Sequence, residues 1–344
     1  MKKLIAVALT ISVLAVNGYG YGARGHRLVG AIAERRLAKN KKVRNRIRTL
    51  LDGLTLEQVA TLPDEIKSWD TCGGKTPDNS PVTNRRRINR ELRAFLNANL
   101  CSSNPSHGEF HYTNIPIVGN ELYADGQVGR REFDIVHMIP FCIRVLRGDI
   151  PETNDRKITK AVAIILITHY VGDIHQPLHV GAQFFDADGN PFQPSTTNPG
   201  FADQGGNKLT LFTFPGGPTP REQGNLHGYW DEQTVKKAFA GVSDVSAAQS
   251  LANKVPANWK LNGDAETWSE QMANLMMPVS REAHNRLQYL EIQSQAGKRD
   301  ILSGRAQEVK TGGANYTVWS AATVKEQIHK GGWRLAALFE QALR

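Results

Sequence analysis

The sequence predicts an all-α fold, a single helical assembly with long loops, and three observations carry that expectation. Apolar residues recur at three- and four-residue steps in Leu28, Val29, Ile32 and Leu37, in Phe133, Val136, Ile139 and Ile143, and in Ile158, Val162, Ile165 and Tyr170, the period of a helix with a buried face. Strand signals are few; the best is Lys208 to Phe214, ahead of a Pro and Gly-rich turn, and it suits a small hairpin or an extended piece. The Pro and Gly-rich interruptions at 77–83, 181–206 and 215–220 separate no two self-sufficient halves, so residues 21–344 read as one domain.

Ahead of that domain, residues 1–20 have the pattern of a secretory signal peptide. Lys2 and Lys3 form a basic start, and Leu4 to Val16 form an apolar run shorter than the roughly 20 residues of a membrane span. Cleavage after Gly18 and cleavage after Gly20 both satisfy the small-residue rule. Export to the periplasm or the medium is expected, and no second long apolar run predicts a membrane anchor. The 344 residues, 40% hydrophobic and 22% charged, exclude a fibre, a disordered chain and a disulfide-dense scaffold. The formal charge of +9, or +7 without Lys2 and Lys3, favours polyanionic partners such as nucleic acid or an anionic lipid surface. Of three cysteines, Cys72 and Cys101 flank a polar stretch they can clip as a loop, and Cys142 sits in an apolar run as a buried thiol.

The chemistry concentrates in His169-Tyr-Val-Gly-Asp173-Ile-His175-Gln-Pro-Leu-His179. Positions i and i+4 share a helix face, so His169 and Asp173 can present an imidazole and a carboxylate to one cation. Pro177 ends the helix and lets His179 reach a second, neighbouring ion. Alone, such a pair is equally an ordinary helix-face hydrogen bond. A second pair, His227 and Asp231, repeats the spacing after Gly224 and Asn225, which suit a helix start. Buried carboxylates are costly unless paired or metal-bound, and His with Asp, without a Cys-x-x-Cys pair, suits a catalytic zinc site. Tyr21-Gly-Ala-Arg-Gly-His26 adds a third element. A free α-amino group there, with a pKa near 7.7 to 8.0, can lose its proton to a cation, and His26 completes the bite.

Taken in order, these residues resemble the S1/P1 nuclease family of trinuclear zinc enzymes along nearly the whole chain after residue 20. The resemblance rests on Asp64-Glu65, His111-Tyr112, the 169–179 stretch, Gly205-Gly206-Asn207, Leu226-His227-Gly-Tyr-Trp230-Asp231 and Gly331-Gly332-Trp333-Arg334-Leu335. It implies a helical fold of the zinc phospholipase C and P1 nuclease type with three Zn2+. Asp64, His111, His169 and Asp173 would hold one ion; His179, His227 and Asp231 a second; the Tyr21 backbone nitrogen and oxygen, His26 and a bridging Asp173 the third. Asp64 would orient the nucleophile, and Lys67 would offset charge developing at the scissile phosphate. Tyr112 would stack on a base and Asn114 would meet its edge. The implied reaction is hydrolysis of single-stranded DNA and RNA to 5′-phosphorylated products, with 3′-nucleotides as further substrates, by a monomer without stable membrane association.

Three departures from the family pattern stand out. Tyr21 replaces the usual Trp, which is tolerable for a backbone ligand but requires cleavage after Gly20. Tyr112 replaces a Phe and Asn114 an Asp, so stacking is kept while base preference can change. The segment between His179 and the Gly-Gly-Asn is unusually long and suits a lid or a substrate rim. His107, His137, His175, His284 and His329 are expected in core or surface roles, and the basic clusters 41–48 and 85–90 either guide a phosphate backbone or form solvated faces. One rival is the related zinc phospholipase C group, whose first His lies further from the N-terminus and whose last ligand is usually Glu where Asp231 stands. The other is a zinc-binding or nucleic-acid-binding protein without catalysis, which would have no need of Asp64.

Overall fold

The computed structural model describes residues 21–71, 76–214, 217–295, 297–309 and 313–344. Residues 1–20, with both candidate cleavage points, and Cys72 lie outside these. Twelve helices are described: α1 (Gly22–Leu37), α2 (Lys41–Leu50), α3 (Leu56–Val59), α4 (Leu62–Glu65), α5 (Arg86–Ala98), α6 (Ile135–Arg147), α7 (Lys160–Asp173), α8 (Leu226–Gly228), α9 (Thr234–Ala238), α10 (Asp244–Asn253), α11 (Trp268–Asn285) and α12 (Tyr316–Ala342).

At the centre lies α7. Its sequence is apolar on every side up to His169, and every residue from Ala161 to Asp173 is buried, as expected of a helix packed all round. Thr159 caps its start by accepting from the Val162 N–H. Helices α1, α5, α6 and α12 surround it. The periodic residues named from sequence on α1, α6 and α7 are buried, with Phe133 packed against the core from its edge. Cys142 is a buried free thiol, and Cys101 is disulfide-bonded.

The all-α expectation holds only in part. Eight strands are described: β1 (Ile115–Pro116), β2 (Gly181–Ala182), β3 (Phe184–Phe185), β4 (Phe201–Ala202), β5 (Leu209–Thr213), β6 (Arg221–Asn225), β7 (Leu287–Ser294) and β8 (Ile301–Glu308). The last four form one sheet in the order β6-β5-β8-β7. Strand β5 is the segment expected to be at most a hairpin, yet it is internal: it pairs with β6 antiparallel and with β8 parallel, Leu211 opposite Ala306. Leu209 and Leu211 point into the core while Thr210 and Phe212 are half-buried, the alternation of a sheet with one wet face. Strand β7 buries only Leu287, so its sequence carries little apolar alternation to read.

The long segment after His179 is held at both ends. Strand β2 pairs parallel with β1, and β3 pairs antiparallel with β4. Ala202 then bridges to Asp300 at the tip of the β7–β8 hairpin, where the Gln204 amide also donates to the Asp300 carboxylate at 2.7 Å.

Candidate metal centre

Eight of the nine predicted ligand residues are His or Asp, and all eight are at least nine-tenths buried. They fall into three groups whose ligand atoms lie within 4.8 Å of one another: His26, Asp64 and His169; His111, His169 and Asp173; His179, His227 and Asp231. Two groups match the sets expected from sequence, less Asp64 in the first. The third joins His26 to Asp64 and His169 rather than to Asp173 alone.

Each imidazole is aimed by the fold. Helix α7 supplies His169, whose Nδ1 donates to the Ala60 carbonyl at 2.7 Å, turning Nε2 inward to within 3.2 Å of Asp173 and 3.6 Å of Asp64. His111 ends a 3-10 turn (His107–His111) that begins with a Ser106–Glu109 capping box, and its Nδ1 lies 2.9 Å from Asp173 Oδ2. After Pro177 the chain makes another 3-10 turn to His179, so the proline break acts as the sequence suggested. His179 Nδ1 donates to the His111 carbonyl at 2.9 Å, and its Nε2 lies 3.2 Å from His227 Nε2. His227, on α8, is turned by a bond from Nδ1 to the Gly205 carbonyl at 2.8 Å. Three imidazoles are thus fixed through one nitrogen to a backbone carbonyl, leaving the other free to ligate.

Asp231 departs from the expected α-helical spacing. It sits in a π-helical turn, Tyr229–Gln233, a local widening frequent at functional sites. Its Oδ2 is 3.4 Å from His227 Nε2, and its Oδ1 accepts from the Gln176 amide at 2.8 Å. His26 enters from α1, its Nε2 3.3 Å from Asp173 Oδ1. Asp173 is therefore the hub, with His111 and His169 on one oxygen and His26 on the other. The close approach of α1 to α7 depends on Gly172, where a Cβ would lie 2.6 Å from His26 Nδ1.

The buried polar atoms fit a cation. Both ring nitrogens of His26, Asp173 Oδ1 and Asp231 Oδ2 are buried without a hydrogen bond, and each such atom costs about 1–3 kcal/mol when left so. Burial pushes the His111 and His227 imidazoles down to about 3, aided by Lys67 in one case and His179 in the other, so both are neutral donors near pH 7. Burial raises Asp64, but Lys67 and the surrounding imidazoles outweigh it and hold the carboxyl at about 2. Burial and the charges of Asp173 and Asp64 push Asp231 well above the usual carboxylate range, a cost that a positive ion removes.

The remaining predicted residues surround this cluster. Lys67 Nζ lies 2.6 Å from Asp64 Oδ1. Tyr112 and Asn114 leave His111 in extended backbone, two residues apart and so on one side of the chain; burial raises the Tyr112 hydroxyl, with Arg131 and Glu109 among the nearby charges. Tyr21 is fully buried, and its hydroxyl donates to the His175 carbonyl.

Sequence reasoning missed the supports. Gln176 lies within the 169–179 motif and orients Asp231. His175 has a structural role, as expected, but one that links two motifs: its Nε2 accepts from Arg334 at 2.8 Å, so the Gly-Gly-Trp-Arg-Leu segment braces the carbonyl under Tyr21. His107 and His137 do meet carboxylates, Asp70 and Asp134, each at 3.2 Å; both pairs stand apart from the three groups.

A model of the family described as S1/P1 Nuclease matches residues 21–344. Among curated relatives, Endonuclease 1 of Arabidopsis thaliana is 24% identical over 55% of this chain and 52% of its own length. Endonuclease 4 of the same plant is 25% identical over 51% and 48%, and Endonuclease 2 is 21% identical over 75% and 71%. The chain thus spans about half the length of the first two relatives. The family match runs from Tyr21 to Arg344 and takes in every side chain of the centre, so the chain belongs to the S1/P1 nuclease family.

Proposed function

We propose that this protein is an exported zinc-dependent endonuclease, a phosphodiesterase that hydrolyses single-stranded DNA and RNA to 5′-phosphorylated products and has 3′-nucleotidase activity. The observation that carries this reading is the presence of three buried His/Asp groups, two of them sharing His169, in a family of nucleases. Three zinc ions are assigned: one to Asp64, His111, His169 and Asp173, one to His179, His227 and Asp231, and one to His26, Asp173 and the Tyr21 backbone. Zinc when bound supplies positive charge that polarises a phosphodiester and activates the attacking water.

The protein's own groups then divide the work. The Asp64 carboxylate, ionised far below neutral pH, accepts from and orients the attacking water. Lys67, within reach of that carboxylate and a quarter exposed, places a cation where charge develops on the phosphate. Tyr112 offers an aromatic face to an unpaired base, which any base can use, and Asn114 offers an amide to its edge. Cleavage after Gly20 would put the free amine on Tyr21, whose side chain is fully buried. Among the described residues no helix is long and apolar enough to cross a membrane; that the protein acts as a monomer without a membrane anchor is part of the proposal.

The test combines intact mass, zinc analysis and hydrolysis of single-stranded oligonucleotides on one sample of the exported protein. A chain starting at Tyr21, three zincs, and cleavage lost on chelation and regained with zinc are expected. Cleavage indifferent to chelation, or phosphatidylcholine hydrolysed faster than polynucleotide, overturns the reading. Full zinc loading with no hydrolysis favours a binding protein.

A further inference from the structure

The Gly205 carbonyl that turns His227 sits in an improbable piece of backbone. Gln204, Gly205 and Gly206 all have positive φ, at 55°, 59° and 81°. A Cβ on Gly205 would lie 2.2 Å from the Leu178 carbonyl oxygen, so glycine is required there, yet glycine alone gives no reason for the chain to stay in this shape. Something must hold three consecutive left-handed residues in place.

Asp203 is that something. Its carboxyl is fully buried, lies against the backbone N–H groups of Gly205 and Gly206, and accepts at 3.2 Å that of Gln183. Successive N–H groups in such a turn form a concave site for an acceptor oxygen, and here the protein's own carboxyl stands at it. The backbone of Asp203 does the rest: its N–H donates to the Gln183 carbonyl at 2.9 Å and its carbonyl accepts from Lys208 at 3.1 Å. The Asn207 amide closes the turn on the Gln204 carbonyl at 3.0 Å. Behind the carboxylate stands His284, its Nε2 4.0 Å from Asp203 Oδ2 and its Nδ1 held at 2.8 Å by the Tyr289 hydroxyl. Neither Asp203 Oδ2 nor His284 Nε2 has a hydrogen-bond partner, so the bonding of this carboxyl falls to Oδ1, on the side of the turn.

We infer that Asp203 is a positioning residue of the metal centre: by closing the 203–206 turn it aims the Gly205 carbonyl at His227 Nδ1 and so presents His227 Nε2 to the ion shared with His179 and Asp231. This rests on the zinc reading above. It assigns the first two glycines of the Gly-Gly-Asn segment a role that touches neither metal nor substrate.

The test measures zinc affinity site by site in wild type, Asp203→Ala and Asp203→Asn, with metal-buffered dialysis and metal analysis, cobalt(II) absorption as an independent readout, and circular dichroism for folding. Loss of a support of this kind typically weakens a metal site about 10- to 100-fold. One zinc of the set is expected to weaken by that factor in Asp203→Ala while the others hold. Asp203→Asn, which keeps one acceptor oxygen, is expected to fall between, and it decides the matter if the alanine variant does not fold. Unchanged affinity at every site in the folded variants overturns the inference. Equal weakening of all sites also overturns it, because a general structural role predicts that pattern. A wild type that takes up no zinc overturns the parent reading, and this inference with it.

Discussion

The rings of His26 and His169 lie face to face, centroids 3.8 Å apart and planes 10° from parallel, one ring from α1 and the other from α7. The stack joins the start of the domain to its central helix, and Gly172 gives it room.

Gly172→Ala therefore puts a methyl 2.6 Å from His26 Nδ1, between two buried helices that cannot part freely. The expected cost is about 1–3 kcal/mol of stability, as for other overpacked cores, with one zinc lost and the hydrolytic rate down at least about tenfold. Urea unfolding and metal analysis on the same preparation check this; a variant with normal metal content and rate would mean that the stack is incidental.

Lys67→Ala separates binding from catalysis. The side chain is a quarter exposed and contacts Asp64 without filling the core, so the fold and the zinc content should survive. Removal of one such charge from a developing anion costs about 100- to 1000-fold in kcat. Steady-state hydrolysis of a short single strand is the measurement, and a change confined to KM would place Lys67 on the substrate path instead.

Acid should weaken the zinc-free protein. Seven imidazoles, those of His26, His107, His111, His175, His227, His284 and His329, are lowered, burial being the first cause in each, while those of His137 and, against burial, His169 are raised by neighbouring carboxylates, Asp134 and Asp173. Two carboxyls, Asp203 and Asp231, are raised by burial, Asp203 to about 7. As pH falls from about 6 toward 4 the unfolded chain takes up protons on seven imidazoles that the folded chain holds below their ordinary value, whereas the folded chain favours protons on two imidazoles and two carboxyls. The unfolded state binds more protons, so stability falls as pH drops through this window. The urea midpoint of chelated protein should decrease from pH 7 to pH 5; a midpoint that rises would show the raised groups to dominate.

Tyr112 and Asn114 bear on which nucleotides are preferred. Tyr112→Phe should leave KM for single strands nearly unchanged, whereas Tyr112→Ala should raise it by the equivalent of about 1–3 kcal/mol for one lost stack. Asn114→Asp should alter the order of preference among homopolymers with little change in the best rate. Kinetics on four homopolymers decide both.

What could be read from the sequence follows from how each feature is encoded. The i, i+4 pairs, the proline break before His179 and the apolar surround of α7 are local patterns, and the structure brings all of these side chains together. Strands β7 and β8 were not legible, because β7 buries only Leu287 and β8 only Ile301, Ala306 and Glu308, too few apolar positions to make an alternation. The π turn under Asp231 and the carbonyls of Ala60, His111 and Gly205 left no trace either. A backbone acceptor looks the same at every residue, so only the folded chain reveals which ones hold the imidazoles.

Asp173 gives the centre a property that belongs to none of its parts. One oxygen faces His111 and His169, the other His26, and the two oxygens share a single delocalised charge. An ion drawing density through one of them would leave the other a poorer donor, so two ions sharing Asp173 would be linked in affinity. Affinity at one of the two positions that share Asp173 could not then be tuned without retuning the other, whereas the group of His179, His227 and Asp231, with a carboxylate of its own, would load and change by itself.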